Sequence, residues 1–188
     1  GVSQMFGINL DINFKRPYFA TDLSDYWNRW HITMGSWFRD YIFLPLSVCS
    51  PMLKLNKKLG EKLSRRTAGK IVAYAASAVT WFATGVWHGA AWNFILWGVF
   101  FGVLLLIEKF WLLKALNKTR VISRVYILLA ALLSFVVFQI PTLSEAFSYI
   151  GGMFGAGGIA FSSAETLYHL KSYAVLLIMA IVGATPVV

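Results

Sequence analysis

The fold class this sequence predicts is all-α, a polytopic transmembrane helical bundle, and three observations predict it. Hydrophobic residues make up 58% and charged residues only 13% of the 188 positions, about half the charged share of an ordinary soluble domain. Uncharged runs occupy Ile71–Ile107, Val125–Ser144 and Ser172–Val188, each long enough for a helix through the roughly 30 Å hydrocarbon core of a bilayer. The basic residues, which give a net charge of +9, gather between the runs as they do in cytoplasmic loops. That placement ties the charge to membrane topology and excludes a nucleic-acid partner.

The first element is a helix over 24–43, "SDYWNRWHITMGSWFRDYIF", with Asp22 or Ser24 as N-cap and Pro45 as its stop. Trp27, Trp30, His31, Met34, Trp37, Phe38 and Tyr41 fall on one helical stripe, and Asp25, Asn28, Arg29, Ser36, Arg39 and Asp40 lie opposite. Such a helix lies at the membrane interface with its aromatic stripe inward, or stands in the bundle against a polar cavity. Asp25 and Arg29, four apart, pair on an exposed face. Arg39 and Asp40 meet lipid headgroups, or Arg39 holds a phosphate bidentately.

Next comes a basic connector containing Lys54, Lys57, Lys58, Lys62, Arg65, Arg66 and Lys70, with 54–66 expected in the cytoplasm. Drawn as one helix, Ile71–Ile107 would be a rod of about 55 Å, nearly twice the hydrocarbon thickness. The run therefore enters, turns at Gly85 or "HGAAWN" (88–93) and returns, giving helices over 71–87 and 91–111. A second basic segment, 109–124, is again cytoplasmic and leads into a helix over 122–141. The connector 142–170 has no Lys or Arg before Lys171 and contains "GGMFGAGGIAFSS", so it is expected outside, ahead of a last helix over 172–188. With no Met at Gly1, no signal peptide and no polar flank after Val188, the expectation is a C-terminal or internal portion of a longer protein, one transmembrane domain over 1–188 truncated at both ends. The single cysteine, Cys49, excludes an internal disulfide and a cysteine-rich metal site, and no metal ligands are expected.

His88 falls at or near the hairpin turn, inside "TGVWHGAAWNF". An ionisable side chain at membrane depth marks a functional site unless it merely donates to a neighbouring helix as structural glue. Gly85 and Gly89 would leave room for another chain or a ligand, and Trp87 and Trp92 would wall the imidazole off from water. His31 has two readings of its own, a core histidine bonded to a carbonyl or a second member of the same site.

"YWNRWHITMGSWFRDYIFLPL" and, some way downstream, "GVWHGAAWNFILWG" resemble the two histidine motifs of bacterial membrane-bound O-acyltransferases, above all the branch that acetylates polysaccharides such as alginate. "INFKRPYFATDLSDYW" and "LSEAFSYIGGMFG" are similar to that branch too. The related branch that D-alanylates teichoic acids shares "WNRWH" and "WFRDY", while "FLPL" and "WHGAAW" lean toward acetylation. One departure is Gln139, which stands where the polysaccharide branch commonly has arginine.

The resemblance implies the catalytic half of a multi-pass protein of the inner (plasma) membrane. An acyl group would pass from a cytoplasmic thioester, acetyl-CoA or an acyl carrier protein, to a hydroxyl of an extracytoplasmic polysaccharide, directly or through a partner acetyltransferase, with no resident cofactor. His88 would be the catalytic base, and His31 would orient the carbonyl or stabilise oxyanion charge. Trp30, Trp87, Trp92 and Arg39 would contact substrate. The competing functions are D-alanyl transfer to teichoic acid and, outside enzymes, a transporter or proton relay. The second usually brings intramembrane carboxylates, and the apolar runs contain none.

Overall fold

The computed structural model describes residues 2–158, 160 and 162–185. It is all-α, with no strand among the described residues. After a helical turn at Val2–Met5 and an extended stretch, α1 (Leu23–Trp27) and α2 (Ile32–Phe38) carry the first motif. A π turn at Arg39–Phe43 prolongs α2 into Leu44–Val48. Then come α3 (Ser50–Lys62), α4 (Arg65–His88), α5 (Trp92–Ile107, prolonged by a π turn at Glu108–Leu112 to Leu116), α6 (Arg120–Gln139), α7 (Leu143–Met153), α8 (Ala164–Ser172) and α9 (Ala174–Gly183).

Two helices are long and apolar enough to cross a bilayer, Trp92–Leu116 and Arg120–Gln139. The α8–α9 pair, bent by 60°, would be a third if it forms one span. The last helix predicted, 172–188, is therefore shorter than expected and joined to a second one, and its final three residues lie outside those described. The predicted helix–turn–helix is present, although α4 is not among the helices apolar enough to cross a bilayer. α4 ends at His88, the chain reverses through Gly89–Ala91, and α5 returns along α4. Glycine makes this crossing close, since a Cβ on Gly85 would stand 2.6 Å from the Phe94 carbonyl oxygen and 3.0 Å from Ile95 Cα. In lipid, helices gain by such backbone approach because apolar side chains have nothing to escape from. The space beside Gly85 thus belongs to α5, and Phe94 occupies the space beside Gly89; neither is left for a ligand.

Two further expectations are corrected. The stretch 24–43 is not one helix: it breaks after Trp27, and His31 takes left-handed backbone angles, φ 48° and ψ 49°. A segment distant in sequence holds the break open, with Lys15 N–H donating to Arg29 O, Ile32 N–H to Asn13 O, and the Thr33 hydroxyl to Asn13 Oδ1 at 2.7 Å. Pro45 does not stop the helix either, because the π turn brings it into a first helical turn, where its missing N–H costs nothing. The basic connector is itself largely helical as α3, with Met52 and Leu59 half-buried beside its exposed lysines.

The core lies between α1, α5 and α6, and comprises Ala20, Leu23, Tyr26, Trp97, Phe101, Leu105, Ile127, Ala130 and Ala131. Trp27 locks α1 into it, with ring centroids 4.8 Å from Trp81, 4.8 Å from Phe101 and 5.8 Å from Trp97. Asp22 caps α1 by accepting from Asp25 N–H, and the predicted Asp25–Arg29 ion pair forms at 2.7 Å.

Candidate active site

His88 is the last residue of α4, and its ring is enclosed by aromatic neighbours from three helices. Trp87 and Trp97 stand 4.8 Å away, Phe138 5.2 Å and Phe94 6.4 Å, centroid to centroid. Within this cup, Nε2 is buried and has no hydrogen-bond partner. Phe138 and Phe94 are themselves held together, since Asn93 Nδ2 donates across to the Phe138 carbonyl at 2.7 Å. Helix geometry explains that bond: Phe138 sits in the last turn of α6, where a carbonyl lacks an intrahelical donor.

His31 is linked to His88 through a run of packed rings. Its ring packs against Phe14 at 4.8 Å and Trp30 at 5.9 Å. Trp30, half-buried, stacks on Tyr26 and touches Phe135 of α6. The aromatic groups therefore run continuously from His31 through Trp30, Tyr26, Trp27 and Trp97 to His88.

The other expected site residues divide. Trp87 touches the imidazole and Phe38 but is more than half exposed. Trp92 is 74% exposed and stands outside the cup, so the wall expected from it comes from Trp97 and Phe138. Arg39 is exposed and bound to its own neighbour, Nε to Asp40 Oδ1 at 2.8 Å, which raises the guanidinium pKa further. Arg39 also borders a cavity of about 340 Å³ between α1, α2, α4 and α5. Trp27, Phe38 and Trp81 form its apolar wall, Asn28, Ser77, Thr80 and Thr84 supply polar groups, and Lys109 joins Arg39 as a second cation. Along α4 the cavity reaches Thr84, one helical turn before His88.

Sequence reading missed three participants. Asn93 and Trp97 lie inside the quoted second motif but carry no signal that separates them from packing residues. Glu108, just beyond the apolar run that ends at Ile107, is 1% exposed in the helix Trp92–Leu116. Its Oε2 accepts the Leu23 N–H at 2.9 Å, so it is bound at the start of α1.

A helical membrane protein with a partnerless imidazole in an aromatic cup, beside a cavity edged by cations, is the class that fold and site define. No profile of a known protein family matches the chain, but individual relatives do. It is 36% identical to the teichoic acid D-alanyltransferase of Streptococcus thermophilus over 63% of its length, 30% identical to the "Probable alginate O-acetylase" of Azotobacter vinelandii over 84%, and 27% identical to the peptidoglycan O-acetyltransferase of Helicobacter pylori over 85%. The matches cover 27%, 28% and 28% of those proteins, so the chain spans little more than a quarter of the length of the curated relatives it matches. These relatives are members of the membrane-bound O-acyltransferase family, and the chain is similar to one stretch of them.

Proposed function

We propose that the protein containing this chain transfers an acetyl group from acetyl-CoA to a hydroxyl of an extracytoplasmic polysaccharide, with His88 as general base. The observation that carries this reading is the buried, unpartnered Nε2 of His88. An imidazole nitrogen that no protein group occupies can accept from a hydroxyl that enters between its shielding rings, and imidazole titrates in the range that base catalysis at neutral pH requires.

Nε2 takes the hydroxyl proton as the oxygen attacks the thioester carbonyl. The tetrahedral oxyanion collapses with loss of the thiolate, which recovers the proton from the imidazolium. His31 orients the carbonyl or steadies its developing charge. The cavity from Lys109 and Arg39 to Thr84 accommodates the donor's thioester arm, its phosphates against the two cations. Trp30 and Trp87 line the approach to the histidines, and Trp92 contacts the acceptor from its exposed position. The chain sits in the inner membrane as a multi-pass protein with 54–66 and 109–124 cytoplasmic.

A second reading, D-alanyl transfer to teichoic acid, is favoured by the 36% identity to a D-alanyltransferase, against 30% to an alginate O-acetylase. The acetyl reading rests on the longer matched stretch, 84% of the chain against 63%.

The test uses the full-length parent in membranes, with matched amounts of each variant and labelled acetyl-CoA or labelled D-alanyl carrier protein as donor. His88→Ala should lower transfer by about 10² to 10⁴, and His31→Ala by less. Full activity in His88→Ala would return this histidine to a structural role, while label arriving only from the D-alanyl donor would select the second reading.

A further inference from the structure

Glu108 is a carboxylate fully enclosed in an apolar helix, and the transfer chemistry above makes no use of it. Both it and its partner Leu23 are 1% exposed, and its Oε2 accepts the Leu23 N–H at 2.9 Å. Leu23 opens α1, a helix of five residues, much shorter than one that is stable by itself. Its position is therefore set by its anchors. At the far end these are the hydrogen bonds that tie Arg29, Ile32 and Thr33 to the 13–15 segment, in the middle the packing of Trp27 on Trp81, Trp97 and Phe101, and at the near end the anchor is Glu108.

The same helix that carries Glu108 carries Trp97, eleven residues earlier and about 16 Å along the axis, and Trp97 touches His88 at 4.8 Å. Thus α5 is a ruler with one end gripping the start of α1 and the other set against the imidazole of His88. We infer that Glu108 is a positioning residue: its hold on the Leu23 amide sets the height of α1 on α5, and so places Trp27, Trp30 and His31 relative to Trp97 and His88. This rests on the reading of the two histidines as parts of one acyl-transfer site. The π turn that begins at Glu108 fits the role, because such turns inside α-helices occur frequently at functional sites.

The inference separates geometry from charge, and two conservative variants of the full-length parent in membranes test it. Glu108→Gln keeps the length and an oxygen acceptor but cannot ionise. Glu108→Asp keeps the carboxyl group but withdraws the acceptor by about 1.5 Å, one carbon–carbon bond. With folded protein matched by fluorescence-detected gel filtration, Glu108→Gln should keep kcat within about threefold. Glu108→Asp should lose about 10²-fold in kcat, the cost expected for a displacement of roughly 1 Å at a reacting centre, with the donor KM little changed. Adding His31→Ala to Glu108→Asp should then cost little more, because both changes disable the same placement.

Full turnover in Glu108→Asp, loss of turnover or of folded protein in Glu108→Gln, or losses that multiply with His31→Ala would each overturn the inference. His88→Ala is run in parallel. If that variant stays active, the acyl-transfer reading itself fails; if it is inactive while Glu108→Asp turns over normally, only the role of Glu108 fails.

Discussion

Asn93→Ala probes the cup around His88 without touching the imidazole. Asn93 is 8% exposed and spans from the first turn of α5 to the last turn of α6 through its 2.7 Å bond to the Phe138 carbonyl. That carbonyl has no donor of its own helix to turn to, so truncation leaves it buried and unpaired. The general cost of such a group is about 1–3 kcal/mol, but interhelical hydrogen bonds in membrane proteins average about 0.6 and reach about 1.7 kcal/mol. The membrane figures apply here, which puts the loss near 1 kcal/mol. If all of it appears as misplacement of the Phe138 ring, 5.2 Å from His88, turnover falls by about fivefold, since 1.36 kcal/mol corresponds to tenfold. Thermal unfolding of purified protein in detergent and acetyl transfer in membranes should both register the change. Unaltered stability and turnover would refute the account of how the cup is held. A loss as deep as that of His88→Ala would refute it in the other direction, by giving Asn93 a part in the chemistry.

Gly85→Ala should lower thermal stability by about 1–3 kcal/mol, because the added Cβ meets the backbone of Phe94 and Ile95, which cannot swing aside; scanning calorimetry of the purified parent checks this. Arg39→Ala should leave folded yield unchanged, its side chain being 64% exposed and paired only with Asp40, yet weaken retention on a coenzyme A resin if the donor's phosphates rest there. A cysteine at Lys58 should label only after the membrane is opened, and labelling from outside intact cells would reverse the proposed topology.

The hairpin was legible because a charge-free run twice too long for one crossing has to fold back, and the second motif supplied the turn residues. The capping of α1 by Asp22 and the Asp25–Arg29 pair were legible because they depend on neighbours within four residues. The break at His31 was not. Aromatic spacing around it reads as one helix, and what opens the chain is Asn13, a polar side chain in an extended segment without periodicity. Glu108 was hidden for a related reason: next to Lys109 it looks like the polar end of a span, whereas the π turn carries it inward to an amide 85 positions away in sequence. Among the tryptophans, which rings face the imidazole depended on where α4 ends, and with that end at His88, Trp97 rather than Trp92 closes the cup.

The buried Ser, Thr and Asn side chains of the core donate to backbone carbonyls. Ser123 donates to Leu116 O, Ser134 to Ala131 O, Thr84 to Thr80 O and Asn93 to Phe138 O. Against that background each of the two motif histidines carries a local cost, although Arg16, with φ 51°, shares the left-handed backbone of His31. His31 holds a left-handed backbone that a side chain with a Cβ adopts at about 1–3 kcal/mol, and His88 keeps a buried ring nitrogen unpaired at about the same. Trp27 Nε1 shares that condition, and Trp27 borders the cavity that reaches Thr84. A histidine serving as glue would donate to a carbonyl and remove its own cost. The aromatic cup does the reverse, surrounding Nε2 with rings that pack well and offer it no conventional hydrogen-bond partner. That arrangement supports the reading of His88 as a base whose partner is a hydroxyl that arrives with the substrate.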